Sequence, residues 1–207
     1  AAQDFDNGDI LKQVQNDSKN IKKRYNLADK YFISVGRVEN KKNTAGIIKA
    51  FDIFRQRYHR DDFSLVLVGK GGFGYENIVQ VKNINRFSDD IKLLGYLSIE
   101  DLSILMKGAQ GFLFPSLYEG FGFPILEAMS MKLPVITSNH GVMKEIAEGN
   151  AVLIDPLNIE ELANQMSELI SNEELRNDLI QKGRERYQVF TWEKAARETL
   201  EAFRKMK

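Results

Sequence analysis

Two cationic side chains, Arg37 and Lys42, have the types and the spacing to bind a phosphorylated ligand. They lie in the segment Gly36–Asn43, between an apolar run and a helical pattern. A guanidinium presents a planar fork and an ammonium a flexible point charge, so the pair suits a phosphate or a diphosphate. The start of a helix adds free amides and a partial positive charge. For this segment alone, a solvated basic turn is the competing interpretation.

The segment Pro115–Met129 places two carboxylates on either side of a glycine-containing turn. Its glycines let the backbone approach a ligand, and Pro124 predicts a helix that starts there. The amides of Gly120–Phe123 would then be free to bind oxygen atoms. Glu119 lies in the turn and Glu127 just past the first helical turn, so a ligand with sugar or ribose hydroxyls could meet both. The alternative is that Glu119 caps a turn and Glu127 favours the helix dipole.

The segment Gly69–Gly74 matches the glycine fingerprint G-x-G-x-x-G of dinucleotide-binding folds. Asp89 and Asp90 follow at about the distance of the ribose-binding acid, roughly 20 residues. However, the glycines follow the second apolar run, and the acidic pair precedes a strand, whereas the acid of the fingerprint ends one. A nicotinamide-dependent oxidoreductase is therefore one alternative, and a flexible turn that borders a cleft is another.

The remaining candidates for metal or acid–base chemistry are weak. His140 could touch a ligand from the segment Thr137–Glu145, although a turn-capping role is the favoured interpretation. His59 follows a helical pattern and is expected at the surface. The Asp4–Asp6 segment has the form of a metal-binding D-x-D but follows no strand. We therefore expect no metal site.

The elements that must position these residues form a regular series. Six short apolar runs, each bounded by glycine, proline or aspartate, alternate with helical patterns: Tyr31–Gly36, Phe63–Gly69, Ile91–Gly95, Gly111–Pro115, Pro134–Thr137 and Ala151–Asp155. Such runs are typical of parallel strands buried on both faces. The alternation predicts an α/β fold with a doubly wound parallel sheet of six strands and helices on both faces. Ligands of such sheets bind at the carboxyl ends of the strands, where the candidate segments lie.

Several polar residues are predicted to begin helices. Asn43 can cap a helix whose apolar positions recur at helical spacing. Ser98 and Asn158 each precede an acidic residue at the spacing of a capping box, and Thr191 is expected to cap the last helix. The stretch Asn16–Tyr25 is also helix-like.

Composition limits the class of protein. The 207 residues suit one domain, which we place at residues 30–207 after a polar linker of residues 1–29. Lys and Arg number 29, as do Asp and Glu, which excludes a global basic field for nucleic acid. The lack of cysteine excludes disulfides and thiolate zinc sites. No signal peptide and no long apolar run is present, so a cytoplasmic protein is expected.

Taken together, the segments resemble the donor-binding half of the retaining glycosyltransferases of family 4, which have the GT-B fold. The resemblance runs from about Tyr31 to Trp192. The motifs, in family order, are Gly36-Arg37 with Lys42-Asn43, Phe63–Gly69, Leu94-Gly95, Pro115–Pro124, Glu127-Ala128, Pro134–Ile136, Glu145, Asp155-Pro156 and Phe190–Trp192. Glu119 and Glu127 form the E-x7-E motif of the family.

The resemblance implies a role for each candidate residue. Arg37 and Lys42 would grip the donor diphosphate and stabilise it as it leaves. Glu119 would lie near the transferred sugar, and Glu127 would bind the ribose hydroxyls. The other substrate contacts implied are Gly120, Phe121, Gly122 and Phe123 at the sugar and phosphate, Gly95 and Tyr96 beside the nucleobase, and Gly69.

The resemblance also implies partners. The donor would be a UDP- or GDP-linked sugar, the acceptor a carbohydrate or a lipid-linked molecule, and neither a metal nor another cofactor would be needed. A whole GT-B enzyme has two domains, roughly twice this length. The acceptor domain would therefore be missing from this chain, which alone would bind a nucleotide sugar weakly and transfer little. The full-length protein would be cytoplasmic or peripheral at the inner membrane face. A non-catalytic nucleotide-binding module is the alternative within the same fold.

Overall fold

A computed structural model describes residues 17–206 of the chain, and a single parallel sheet forms its centre. The strands are β1 (Lys30–Val35), β2 (Phe63–Val68), β3 (Ile91–Gly95), β4 (Gly111–Phe114), β5 (Val135–Ser138) and β6 (Val152–Ile154). Their order in the sheet is β3-β2-β1-β4-β5-β6, and every neighbouring pair is parallel. This confirms the predicted six-stranded, doubly wound sheet.

Helices cover both faces of the sheet. A helical segment, α1, includes residues 17–24. It is followed by α2 (Thr44–Tyr58), α3 (Tyr75–Asn83), α4 (Ile99–Gly108), α5 (Phe123–Ser130), α6 (Gly141–Ala147), α7 (Ile159–Ser171), α8 (Glu173–Gln188) and α9 (Trp192–Lys205). Helices α2, α3 and α7 pack on one face, and α1, α4, α5 and α6 on the other.

The core has two layers because successive residues of each strand point to opposite faces. Phe32 packs with Phe54 and Phe63 on the α2 face, with ring centroids 5.4 and 5.5 Å from that of Phe32. On the other face, Tyr31 and Ile33 are fully buried beside α4 and α5. Both faces of the strands are thus apolar, which explains the unbroken apolar runs.

Three of the four predicted caps are confirmed. The side chains of Ser98, Asn158 and Thr191 each accept a hydrogen bond from the backbone amide three residues on. The prediction for Asn43 is wrong in its mechanism. This residue precedes α2, but its side chain makes no capping bond and instead donates to the carbonyl of Pro156.

The segment that precedes β1 contacts the body of the domain. Ile21 is buried in the α4–α5 layer, and the hydroxyl of Tyr25 donates to Asp101 over 2.9 Å. The backbone amide of Ala28 donates to Ser64 on β2. The division at residue 29 remains a prediction. The Asp4–Asp6 segment lies outside the described residues.

Candidate functional site

The centre of the sheet is a topological switch point, because the chain runs from β1 to β2 on one side and from β4 to β5 on the other. Ligands of open α/β sheets bind at this point. The loop after β1, residues 36–43, and the loop after β4, residues 115–122, flank it; we call them the β1 loop and the β4 loop. The amide of Leu117 donates to the carbonyl of Lys41 over 2.8 Å, so the two loops are joined directly.

An ion pair connects the same two loops. The ammonium of Lys42 contacts the Oε1 atom of Glu119, and the two side chains are only 15% and 10% exposed. The Nζ atom of Lys42 also lies 4.6 Å from the centre of the Phe114 ring, at the end of β4. Partial burial strengthens both contacts, because water screens them poorly there. The lysine is therefore held at the switch point.

Arg37 lies close to Lys42 but is differently placed. Both residues line a small cavity above the end of β1, together with Gly36. Arg37 is exposed. Within residues 17–206, its guanidinium has neither a hydrogen-bond partner nor an ion-pair partner. The structure thus brings the two predicted cations together, with one fixed and the other available to a ligand.

The turn before α5 presents unpaired backbone amides. Helix α5 begins at Phe123, so Pro124 is its second residue and not its first as predicted. Gly122 has a φ of 104°, a left-handed conformation that favours glycine. In the described part of the chain, no group accepts a hydrogen bond from the amides of Gly120–Phe123. These amides and the helix amino end can bind an anion or a hydroxyl oxygen.

Glu127 lies on the exposed side of α5 and lines a different cavity from Arg37 and Lys42. This cavity has a volume of about 520 Å³, and aromatic side chains such as Phe121, Phe123 and Trp192 form much of its wall. The rings of Phe121 and Phe123 are 4.6 Å apart, and that of Trp192 is 6.4 Å from that of Phe123. A joint action of Glu127 with the two cations remains a prediction.

The loop after β2, residues 69–74 (the β2 loop), packs tightly against the β1 loop. The Val38 amide donates to the carbonyl of Lys70, and that of Gly72 donates to the carbonyl of Val38. A Cβ atom at Gly69 would lie 1.9 Å from the carbonyl oxygen of Gly36, and one at Gly74 would lie 2.4 Å from Asn40. Packing against backbone therefore requires Gly69, whereas Gly74 lies against the side chain of Asn40 and has a φ of 82°, which favours glycine.

The acids of the dinucleotide alternative lie at the amino ends of the strands, opposite the carboxyl ends where the β1, β2 and β4 loops lie. Asp89 and Asp90 form a 3-10 turn directly before β3, whereas the β2 loop follows the carboxyl end of β2. Because β2 and β3 are parallel, these two positions are at opposite ends of the strands. Asp90 instead accepts a hydrogen bond from the buried Arg55 over 2.8 Å. The spacing argument for a nicotinamide site therefore fails.

The predicted nucleobase wall adjoins the β2 loop. The amide of Gly69 donates to the carbonyl of Gly95 over 2.8 Å, and the Nζ atom of Lys70 lies 5.7 Å from the centre of the Tyr96 ring. Tyr96 is 76% exposed, so its ring face is accessible to a planar ligand. Gly69, Gly95 and Tyr96 thus lie together beside the β1 loop.

Two contacts at this edge were not predicted from the sequence. The Nε2 atom of His140 lies 3.0 Å from the carbonyl oxygen of Leu117, so His140 contacts the β4 loop. Phe114 supports Lys42 through its ring face. Phe114 was assigned only to a strand, because nothing in its neighbouring sequence signals a partner 72 positions earlier.

Two groups near the start of β1 and β2 have shifted pKa values. Burial raises the pKa of Tyr31, whose hydroxyl donates to the carbonyl of Leu105. A hydrogen bond from Lys30, at the start of β1, lowers the pKa of Asp62.

Within residues 17–206 no group of three or more His, Asp or Glu side chains could hold a metal ion. None of the helices in that range is long and apolar enough to cross a bilayer.

Comparison with known proteins gives a consistent result. The family model described as "Glycosyl transferases group 1" matches residues 16–186. The O-antigen chain mannosyltransferase B of Escherichia coli is 29% identical over 185 residues, which are 89% of this chain and 48% of that protein. The chain spans less than half the length of the curated relatives it matches.

Two solved structures show the same fold at low sequence identity. A C-terminal domain of a group 1 family glycosyl transferase from Francisella tularensis superposes with a TM-score of 0.71 at 22% identity, covering 84% of this chain and 91% of that one. An Anabaena protein in complex with UDP and glucose gives a TM-score of 0.78 at 22% identity, covering 91% of this chain and 52% of that one.

Proposed function

The chain belongs to the group 1 glycosyl transferases, and from that premise we propose that it is the donor-binding domain of a retaining enzyme. In this proposal the domain binds a UDP- or GDP-linked sugar at the switch point of the sheet. The sugar is then transferred, without a metal ion, to a carbohydrate or lipid-linked acceptor that another part of the protein holds.

The observation that carries the proposal is that Arg37 and Lys42 line one cavity at the switch point, where Lys42 also pairs with Glu119. Cleavage of the bond from the anomeric carbon to phosphate builds negative charge on the departing diphosphate. Cations that are already in place stabilise this charge without rearranging, and one such contact is typically worth about 3 kcal/mol of barrier. Lys42 is fixed in this way, and Arg37 is free among the described residues to approach the same phosphates.

The roles of the other site residues in this proposal are those that the family resemblance implies. The amides of Gly120–Phe123 would bind phosphate or sugar oxygens at the amino end of α5. Glu119 would act near the transferred sugar, and Glu127 would accept hydrogen bonds from the ribose. Gly95 and Tyr96, with Gly69 beside them, would form the wall next to the base. Since one relative is named a mannosyltransferase, mannose is the first sugar to test.

An acceptor domain is the partner that we infer. The chain spans 48% of the length of the Escherichia coli relative, which leaves room for a second domain of similar size. Helix α9 has no buried residue, and its exposed apolar side chains include Trp192, Leu200 and Phe203. An exposed apolar stripe of this kind is a suitable docking surface for that domain. The isolated chain is then expected to bind the donor but to transfer little.

Isothermal titration calorimetry of the chain with UDP, GDP and their mannose and glucose conjugates tests the proposal. We expect one nucleotide series to bind, and the Arg37→Ala variant to bind it at least about tenfold more weakly, which corresponds to about 1.4 kcal/mol. The Lys41→Ala variant is the matched control, because Lys41 is an exposed cation of the same loop. Its affinity should equal that of the unmodified chain.

Two outcomes would contradict the proposal. Tight binding of NADH with none of the nucleotide sugars would favour the oxidoreductase alternative. Unaltered nucleotide affinity in Arg37→Ala would favour a nucleotide-binding module without transfer chemistry.

A further inference from the structure

Asn43 has a backbone conformation that separates two helical segments. Its φ of 54° and ψ of 36° are left-handed, a region that asparagine tolerates better than most residues. Its amide donates to Asn40 at the end of a 3-10 turn, residues Asn40–Lys42, over 2.9 Å. Its carbonyl accepts from Ile47 in α2 over 3.0 Å. This one residue therefore sets the angle between the turn that carries Lys42 and the helix behind it.

The side chain of Asn43 fixes that angle from a distant part of the chain. Its Nδ2 atom donates to the carbonyl of Pro156 over 2.5 Å. Pro156 follows β6, which is three strands away from β1 in the sheet. The hydrogen bond therefore joins the β1 loop to the loop after β6, which also lies at the carboxyl ends of the strands.

The first turn of α2 leaves space for this side chain. A Cβ atom at Gly46 would lie 2.3 Å from the Oδ1 atom of Asn43 and 2.7 Å from its Nδ2 atom. Glycine is a poor helix former, so its presence inside α2 needs a packing reason. The side chain of Asn43 supplies that reason.

We propose that Asn43 is a positioning residue, which holds Lys42 against Glu119 and Phe114 and so sets the affinity of the site for a diphosphate. The inference rests on the proposed function. A lysine side chain has many rotamers, so its position depends on where its backbone is held. If the bond from Asn43 to Pro156 is lost, the turn can rotate about the left-handed residue, and the ammonium leaves the switch point for part of the time.

Replacement of Asn43 by glycine tests this directly. The Asn43→Gly variant keeps a residue that adopts the left-handed conformation and removes the anchor; glycine also adds backbone freedom, for which Asn26→Gly is the control. In the NMR spectrum, the Cε protons of Lys42 should be shifted upfield by the Phe114 ring in the unmodified chain, and this shift should shrink in the variant. Calorimetry with UDP and GDP should show binding that is about five-fold weaker, as expected for one lost hydrogen bond.

A second variant displaces the same side chain without changing Asn43. In Gly46→Ala the new methyl group clashes with the amide of Asn43, so the Lys42 shift and the nucleotide affinity should fall together. In the double variant Asn43→Gly/Gly46→Ala the clash is gone and the helix gains an alanine. Its melting temperature should equal or exceed that of Asn43→Gly, while nucleotide binding stays weak. The melting temperature of these variants thus reports stability, and their Lys42 shift and nucleotide affinity report the position of the lysine.

Asn26 provides a matched control. It is also left-handed, with a φ of 50°, and it lies before β1, away from the β1 loop. The Asn26→Gly variant should leave both the Lys42 shift and the nucleotide affinity unchanged. Equal losses in Asn26→Gly and Asn43→Gly would overturn the inference.

The two readouts separate this inference from the proposed function. An unchanged Lys42 shift and unchanged affinity in Asn43→Gly would overturn the positioning role while the proposed function stands. If the unmodified chain binds neither UDP nor GDP, the proposed function fails; a Lys42 shift that still disappears in Asn43→Gly would then support the positioning of the lysine by itself.

Discussion

Two glycine-rich loops at the same edge of the sheet use their glycines in opposite ways. In the β2 loop, a Cβ atom at Gly69 would overlap the carbonyl of Gly36, and one at Gly74 would overlap Asn40. In the β4 loop, a Cβ atom at Gly120 would meet no atom within 4 Å. At Gly122 the nearest atom would be 3.5 Å away, in the side chain of Ile125.

The two loops differ in what a Cβ atom at each glycine would meet. In the β2 loop, Gly69, Gly72 and Gly74 face the β1 loop and Gly71 faces Tyr75 of α3, so all four serve packing. Gly120 faces open space beside the switch point, so its lack of a side chain leaves room for a ligand. A glycine fingerprint therefore does not identify a ligand site until the neighbour of each glycine is known.

The largest expected effect is that of Gly69→Ala on stability. Gly69 has a φ of 143°, and the new methyl group would be 1.9 Å from the carbonyl oxygen of Gly36. The strain of the conformation and the overlap together should lower the free energy of unfolding by about 3 kcal/mol or more. Urea denaturation followed by circular dichroism measures this.

A control for Gly69→Ala isolates the conformational part. Gly149 has a φ of 80° and open space around it, so Gly149→Ala carries the strain without the overlap. Its cost should be about 1 kcal/mol. If Gly69→Ala and Gly149→Ala lose the same free energy of unfolding, backbone strain alone explains the need for Gly69, and loop packing contributes nothing.

The second effect is that of Gly120→Ala on donor binding. No atom opposes the new methyl group, so the free energy of unfolding should change by less than about 0.5 kcal/mol. The methyl group would occupy space that the proposed donor site assigns to the ligand, and affinity for a nucleotide sugar should fall about tenfold, or about 1.4 kcal/mol. Calorimetry and thermal unfolding of the same sample give both values. Full affinity in the variant would show that the β4 loop does not face the donor.

The smallest effect is expected for Gly72→Ala in the β2 loop. Its Cβ atom would be 2.5 Å from the Oε2 atom of Glu39, which can move, and 2.9 Å from the Cβ atom of Glu39, which is fixed by the backbone. A loss of about 1 kcal/mol of stability follows, and the double variant Glu39→Ala/Gly72→Ala should recover only the part that comes from the carboxylate, because alanine keeps the Cβ atom. Urea denaturation checks both. A loss as large as that of Gly69→Ala would contradict the distinction between backbone and side-chain neighbours.

The local sequence was sufficient for the six strands and for most of the helices. All six strands were predicted because a strand buried on both faces must be apolar at nearly every position. The caps at Ser98, Asn158 and Thr191 were predicted because a cap bonds an amide only three residues away. The prediction for Asn43 was wrong because its side chain bonds a group 113 residues distant.

The candidate site could be predicted only in part. The types and order of Arg37, Lys42, Glu119 and Glu127 are visible in the sequence, and their chemistry follows from them. That Lys42 pairs with Glu119, 77 residues away, could not be read from it. That Glu127 lines a cavity with the aromatic side chains of Phe123 and Trp192 was not visible either.

The sequence by itself determined which segments are strands and where most of the helices begin, because a strand buried on both faces must be an apolar run and a helix cap acts between residues close along the chain. Helix α3 was not among the predicted helices. Only the tertiary structure decided which loops meet. The order of the strands brings β1 beside β4, and this order depends on the packing of whole elements. The packing of whole elements therefore determines which groups Lys42, Asn43 and Gly69 contact.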